Sequence, residues 1–513
     1  MYVSITNQHV PRRRLNTPVI LIQRMVFIIT TLMIKLFLYN DFFDNTVGLI
    51  FNTIILLSYL VAESYNLWRF DSRLFFINPV ILASWLSTIG LPYGICNIVY
   101  FVPDHYFYGM IEQPDITSWM NQVMLLVMIG SCAMWIGYSS TIGSVNTLKF
   151  RHSRFAKWVK QSSQVNLTTT YLLVVIAIAS RILMVKLGIF GYISGDVDVI
   201  ENTTVTTAGY SQFLNTFSRL YSFALYAIAL QAFSLTRSNK TLTKQLILLV
   251  VIELFFGLLS GSKGPMIFTL LIIGQIYYSQ RNRFPTFLIP ILFASLLVAY
   301  AVVEPYRQAM TTNQTRANSL SEIVSTMFTS EAIHLDDEQK PAVFLQALNR
   351  ISMTWSASFG IEYAAVNEKL PSDSPDFLGN ILMAPIYAFV PRFLMSDKPL
   401  GDLGLWYTRE VIGINYYTYT AMGPFSYLNF AGGLFAVVIG FYFIGILQRY
   451  IFDVFTHLGI GGFFIYFSFL GSITLINNSI DSMIIGIIRD MLLVLIVMFF
   501  LLKQRPSLTR QKM

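Results

Sequence analysis

Apolar residues in this chain fall into long runs separated by short polar breaks. Runs of about 17–25 residues, coiled as helices, match the thickness of a bilayer. Twelve helices are predicted on this basis, at 20–39, 46–62, 77–101, 119–139, 167–187, 213–235, 245–260, 265–280, 285–303, 427–447, 459–476 and 484–502. The breaks divide by charge. One set holds Arg12, Arg13, Arg14, Arg69, Arg73, Lys149, Arg151, Arg154, Lys157, Lys160, Arg237, Lys240, Lys244, Arg281, Arg283 and Arg449, and the tail with Lys503, Arg505, Arg510 and Lys512. The short breaks of the other set hold Asp41, Asp44, Asp104, Glu112, Asp115, Asp196, Asp198, Glu201 and Asp481, with Lys263 as their lone base. Lys and Arg accumulate in short cytoplasmic loops, so the first set marks the cytoplasmic side and puts both termini there.

One connection is different. Residues 304–426 form a polar segment far longer than ordinary connections, and the charge alternation assigns it to the outer side. The chain therefore divides into nine spans over 1–303, a long extracytoplasmic segment over 304–426, and three spans with a cytoplasmic tail over 427–513. The outer segment carries the acidic stretch His334-Leu335-Asp336-Asp337-Glu338 and then two amphipathic runs. In the first, 342–367, Phe344, Leu348, Ile351, Trp355, Phe359 and Tyr363 recur at helical spacing. The second covers 377–395. Both are expected to lie on the outer membrane surface or cap the bundle. Neither an internal repeat nor a low-complexity tract interrupts the chain.

Composition agrees with an all-α polytopic membrane protein. The 513 residues are 55% hydrophobic and 12% charged, against about 25% charged in soluble domains. The net charge of +8 lies mostly in the short loops, where it orients helices and does not indicate nucleic acid. Cys96 and Cys132 fall within apolar runs and form neither a disulfide framework nor a CxxC metal site. The first run lacks a small-residue cleavage signal after it, so a retained signal anchor is expected.

Against this pattern, six bases stand out. Lys35, Arg181, Lys186, Arg219 and Arg489 lie inside apolar runs, Lys263 lies at the tip of another, and all six fall in the outer half of the bilayer or at its edge. Ionisable groups there are costly and mark substrate paths, which points to an anionic ligand. Lys35 and Lys186 read more readily as snorkelling side chains than as ligands, while Arg181 and Arg219 lie deeper. Arg489 has Asp490 beside it as a partner for a structural ion pair. Glu253, read as the one acid in the middle of a span, is expected to neutralise an arginine. Lys263 sits in Ser260-Gly261-Ser262-Lys263-Gly264-Pro265, where Pro265 suits a first helical turn and free N–H groups suit a phosphate; a plain hairpin with a snorkelling lysine fits the same residues. The GxxxxGK[ST] spacing is missing. Arg392 and Lys398, within Pro391-Arg392 and Lys398-Pro399, offer further phosphate ligands or plain surface charge. The histidines are scattered, and no HExxH, GxSxG or paired-Cys motif occurs, which argues against a zinc site or serine hydrolase.

The SGSKGP turn resembles the SGSR/K-G motif of bacterial oligosaccharide repeat-unit polymerases, the O-antigen (Wzy-type) polymerase family. The resemblance extends over roughly 170–450 through the layout of the spans, the segment Val390-Pro391-Arg392-Phe393-Leu394-Met395-Ser396-Asp397-Lys398-Pro399, and the run from Met422 to Gly433. It implies a GT-C-like glycosyltransferase of the bacterial cytoplasmic membrane, active on its outer face. Such an enzyme moves a growing glycan from undecaprenyl diphosphate onto the next lipid-linked repeat unit, without nucleotide sugar or metal cofactor. A chain-length regulator and a flippase of the same pathway are the implied partners, with O-antigen or capsule as the product. Two departures are visible: lysine stands in the turn where arginine is common, and the arginine-to-glycine loop motif of some members has no clean second copy here.

The residues fit that chemistry. Pre-placed Arg181, Arg219, Lys263, Arg392, Lys398 and Arg489 would stabilise the charge that develops on a diphosphate leaving group. Trp355, Trp406, Tyr416, Tyr417 and Tyr419 offer faces for sugars. Asp397, Glu362 and His334 are the candidate general bases for the acceptor hydroxyl. An O-antigen ligase remains an alternative, as does a lipid-linked glycan flippase or transporter. Transporters often carry inverted repeats and helices broken at the midplane, and neither is expected from this sequence.

Overall fold

The computed structural model describes residues 18–39, 44–72, 74–102, 114–140, 150, 152–187, 189–190, 213–234, 240–260, 263–298, 345, 348–349, 351–367, 374–390, 395, 403–414, 420–475 and 479–504. Eight helices among them are long and apolar enough to cross a membrane: Pro18–Tyr39, Asn45–Phe70, Pro79–Phe101, Asp115–Ser139, Leu167–Lys186, Lys240–Leu259, Gly423–Phe455 and Ile480–Leu501. Each corresponds to one of the twelve predicted runs. The other four runs are also helical but shorter or less apolar. Run 213–235 is split into residues 213–218 and Leu220–Ala232, and the rest appear as Lys263–Arg281, Leu288–Val298 and Gly459–Thr474. The chain is a membrane-embedded helical protein.

Its buried side chains form two main cores. One gathers Leu167–Lys186, Leu220–Ala232, Lys240–Leu259, Gly459–Thr474 and the C-terminal half of Ile480–Leu501, whose first turn gives Ile480 and Met483 to the other core. The second gathers the first four long helices with Thr354–Val366. The Gly423–Phe455 helix joins them, giving Phe441 and Ile444 to the second core and Ile451 and Phe452 to the first. Where it crosses the Pro114–Ser139 helix the backbones nearly touch. A Cβ on Gly137 would meet the Tyr442 carbonyl at 2.0 Å, and one on Gly445 would meet the Met134 carbonyl at 2.0 Å. Small residues permit such crossings in a bilayer, where van der Waals packing must replace the hydrophobic effect.

A two-stranded antiparallel ribbon fixes which helix ends lie together. Ser162–Val165 pairs with Leu502–Gln504, matching Gln164 to Lys503 and Val165 to Leu502. Asn166 N–H then donates to the Leu501 carbonyl at 2.7 Å, and Val165 N–H donates to Gln231 Oε1 at 3.0 Å. The Arg154–Gln161 helix, with Lys157 and Lys160, therefore shares one end of the bundle with Lys503.

Three interruptions depart from the sequence expectation of unbroken spans. The helix at Pro79 passes through a π turn, Ala83–Ser87, loses helical form at 88–89, resumes at Gly90–Tyr93 and ends in a 3₁₀ stretch, Ile95–Phe101. Hydroxyls satisfy part of the exposed backbone, with Ser87 and Thr88 both donating to the Thr474 carbonyl. A second interruption lies at Arg219, between the helical pieces of run 213–235. The third is at Gly432 and Gly433. Phe425 and Phe441 stack with ring centroids 4.2 Å apart, although sixteen residues of straight helix would separate them by about 24 Å. Gly433, at φ 62° and ψ −155°, adopts a conformation essentially confined to glycine. The chain turns back there, and the buried piece beginning at Gly423 lies against the piece that follows.

The long segment 304–426 also packs into the bundle where it is described. Thr354–Val366 is built into the second core through Thr354, Ser356, Ala357, Ser358, Gly360 and Ile361. The aromatic stripe of Trp355, Phe359 and Tyr363 is only half-buried. Small residues win the inward face because they allow backbones to approach closely. Asn97 Oδ1 accepts from Thr354 Oγ1 at 2.7 Å and from Ser352 Oγ at 3.4 Å, and Met353 N–H donates to the Pro92 carbonyl at 3.0 Å. The broken Pro79 helix thus supplies the polar groups that hold it. Phe377–Phe389 packs along Ile480–Leu501, leaving Leu378, Leu382, Ile386 and Phe389 exposed.

Candidate anion site in the helix bundle

Helical spacing explains how the deep charges meet. In Leu167–Lys186 the buried positions Thr170, Val174, Ala177, Arg181 and Met184 follow one stripe, and Arg181 is a member of it. In Lys240–Leu259 the stripe is Leu242, Leu246, Leu249, Glu253 and Phe256. Packing these apolar faces against Leu220–Ala232 brings the two charges together. Arg181 Nη1 lies 2.5 Å from Glu253 Oε2, and Nη2 lies 3.1 Å from Oε1. Its Nε donates to Ser218 Oγ at 2.9 Å. The guanidinium carbon sits 4.8 Å from the Tyr221 ring centroid and 5.1 Å from that of Phe256. Glu253 neutralises an arginine, as its position suggests. The same contacts commit Arg181 to protein groups, so its expected role as a phosphate ligand gives way to that of a buried brace.

The residue after Ser218 is Arg219, at the interruption between helical pieces. Its side chain is 45% exposed and pairs with Asp490. Asp490 lies on the buried stripe of Ile480–Leu501 with Met483, Gly486, Val494 and Val497, and its other oxygen accepts from Ser472 Oγ at 2.8 Å. The expected pairing of Asp490 with its neighbour Arg489 is replaced by this one, because adjacent residues on a helix point about 100° apart. Arg489 is half-buried and within electrostatic range of Arg219. Among the described residues it has no hydrogen-bond or ion-pair partner. Two guanidinium groups thus lie near one carboxylate, Arg219 bonded to it and partly exposed, Arg489 half-buried without a bond to it.

The other expected ligands are placed as follows. Leu259 ends one helix and Lys263 begins the next, so the SGSKGP turn is as tight as the sequence indicates. Its lysine side chain lies outside the described residues, as do His334, Arg392, Asp397 and Lys398. Glu362 is half-buried on Thr354–Val366, which packs on the Pro114–Ser139 and Gly423–Phe455 helices. Lys35 and Lys186 are exposed, in keeping with snorkelling.

Two features escaped the sequence reading. Arg24 and Glu63 form a buried pair, 3% and 1% exposed, with Nε to Oε1 at 2.5 Å, Nη2 to Oε2 at 3.0 Å and Nη1 to Ser139 Oγ at 2.8 Å. Glu253 is therefore not the one acid within a span. Glu63 falls one residue past the predicted run 46–62, yet the helix continues to Phe70. The second feature is Asp481, in the first turn of Ile480–Leu501, 9% exposed, whose Oδ1 has no hydrogen-bond partner among the described residues. Its signal was an acid just after Ser479, the cap that accepts from Ser482 N–H.

Residues 192–506 match a protein family described as "Domain of unknown function (DUF8712)". This region runs from the helices bearing Arg219 through the outer segment to the last helix, crossing both boundaries drawn from the loops. No curated protein and no solved structure matches the chain.

Proposed function

We propose that this chain, a member of the DUF8712 family, is a glycosyltransferase that joins undecaprenyl-diphosphate-linked oligosaccharide repeat units into a surface polysaccharide. The observation that carries this reading is the pair Arg219 and Arg489 near the single carboxylate of Asp490. A guanidinium without a carboxylate of its own is disfavoured in an apolar segment unless something pairs with it, and a lipid diphosphate is an anion that arrives from within the membrane. Guanidinium groups bind its oxygens through charge-assisted bonds and stabilise the charge left on it when the glycosyl bond breaks. Arg489 lies about 14 Å of helix rise from Ile480, so the tail of the bound lipid stays among hydrocarbon. The reaction draws on no metal or nucleotide sugar.

Sidedness belongs to the same proposal. The ribbon brings Lys157, Lys160 and Lys503 to one end, which supports a cytoplasmic location for that end, with both termini inside, and an outward-facing anion site. The membrane would be the bacterial cytoplasmic membrane, with a chain-length regulator and a flippase as pathway partners. A flippase or transporter is the second reading, favoured by the broken helix at Ser87–Ile89 and the reversal at Gly433, since transporters place discontinuous helices around their substrates. Deletion of the gene separates these readings. Loss of a polymerase leaves single repeat units on the cell surface, loss of a flippase leaves none, and persistence of long chains overturns both.

A further inference from the structure

We infer that Asp481 is the general base that accepts the proton of the attacking sugar hydroxyl, an assignment that rests on the glycosyl transfer proposed above. Asp481 is buried and Tyr427 interacts with its carboxylate, yet its Oδ1 accepts no hydrogen bond of normal geometry from the described residues. Buried carboxylate oxygens are normally hydrogen-bonded, so this one awaits a donor, and a sugar hydroxyl is one.

Position agrees with the role. Asp481 and Arg489 lie on the same helix, eight residues or about 12 Å apart. Side chains on a helix lean toward its N-terminus, which shortens the gap that a diphosphate and the first sugar carbon would bridge between them. Tyr427 lies beside Asp481. Its ring neighbours Phe377, with centroids 5.3 Å apart, and Phe377 stacks on Phe430 at 4.9 Å and meets Trp406 at 5.6 Å. Phe430 and Trp406 are half-buried and offer apolar faces for the acceptor sugar, as ligand sites commonly do.

The step balances within these groups. The acceptor hydroxyl oxygen forms a bond to the anomeric carbon of the donor while its proton passes to Asp481. The bond from that carbon to the diphosphate oxygen breaks, and its electron pair stays on the diphosphate beside Arg219 and Arg489.

The test uses the full-length protein in proteoliposomes, supplied with lipid-linked repeat units extracted from a strain deleted for this gene. Asp481→Asn keeps the shape of the side chain but cannot act as the base. Elongation should fall at least about a hundredfold through kcat, with KM little changed, and Asp481→Glu should recover part of it. If the wild type elongates and the Asn variant elongates equally well, Asp481 is not the base although the polymerase reading stands. If the monodisperse wild type does not elongate at all, the polymerase reading itself falls. Should the Asn variant fail to accumulate, a carbodiimide reacted with the wild type decides. Labelling of Asp481 with loss of elongation, both prevented by the lipid-linked units, supports the assignment, and inactivation without label at Asp481 overturns it.

Discussion

Arg181 and Glu253, 72 residues apart in the chain, close a two-point ion pair inside the bundle, with Nη1 to Oε2 at 2.5 Å and Nη2 to Oε1 at 3.1 Å. Removing one partner strands the other charge, which costs about 3–5 kcal/mol in a buried pair, whereas replacing both by apolar residues is often neutral. Arg181→Met or Glu253→Gln alone should therefore lower the thermal midpoint of the purified protein, and Arg181→Met with Glu253→Met should restore most of it. Equal loss in the double variant would show that the pair is not the cause.

Arg219 and Arg489 are expected to behave differently, because their charges are not matched one for one. Charge-assisted bonds contribute about 1.5–3 kcal/mol each, which corresponds to roughly ten- to hundredfold in rate. Arg219→Ala and Arg489→Ala should each shorten the surface glycan while the protein still accumulates in the membrane. Lysine at either position should recover part of the length, since it keeps the charge but loses the bidentate fork. Glycan profiles on gels, normalised to protein level, provide the measurement. Normal length in both alanine variants would remove the diphosphate site.

The membrane helices were legible in the sequence because bilayer thickness sets a length scale that each chain segment carries by itself. All eight long helices fall on predicted runs, and Glu253 could be expected to meet an arginine from its depth alone. Partner choice was less visible. Asp490 stands beside Arg489 in sequence but bonds Arg219, since partnership depends on which stripe faces which helix. The stripe of Trp355, Phe359 and Tyr363 misdirected the reading of the outer segment. Hydrophobic periodicity marks an inward face in water, whereas in a bilayer the close-packed face is the one with small residues such as Ser356, Ser358 and Gly360. The breaks at Thr88 and Gly433 were hidden because neighbouring hydroxyls and a folded-back helix supply what the interrupted backbone lacks.

Arg24 ties the Pro18–Tyr39 helix to its neighbours through Glu63 and Ser139. Much of the remaining surface of that helix is exposed and apolar, including Val19, Leu21, Ile22, Met25, Val26 and Ile29. Glu63→Gln should loosen this helix more than the rest of the molecule, because local opening follows local packing. Hydrogen exchange in nanodiscs should then speed up over 18–39 while the Leu220–Ala232 core stays protected. Uniform acceleration across both regions would argue for global destabilisation instead.

The reversal at Gly433 makes two linked predictions. No heavy atom lies within 4 Å of a Cβ built there, so Gly433→Ala meets no steric clash and its cost is backbone strain, about 1–3 kcal/mol. Gly432, at φ 172°, is extended, and Gly432→Ala should cost less. The geometry itself is tested by cysteines at Phe425 and Phe441 in a background where Cys96 and Cys132 are replaced by alanine. With the rings stacked at 4.2 Å, a short bifunctional maleimide should link the pair within one chain in high yield. A straight helix would hold them about 24 Å apart and give no intramolecular product. In the Gly433→Ala background the yield should fall, because a strained turn spends less time closed.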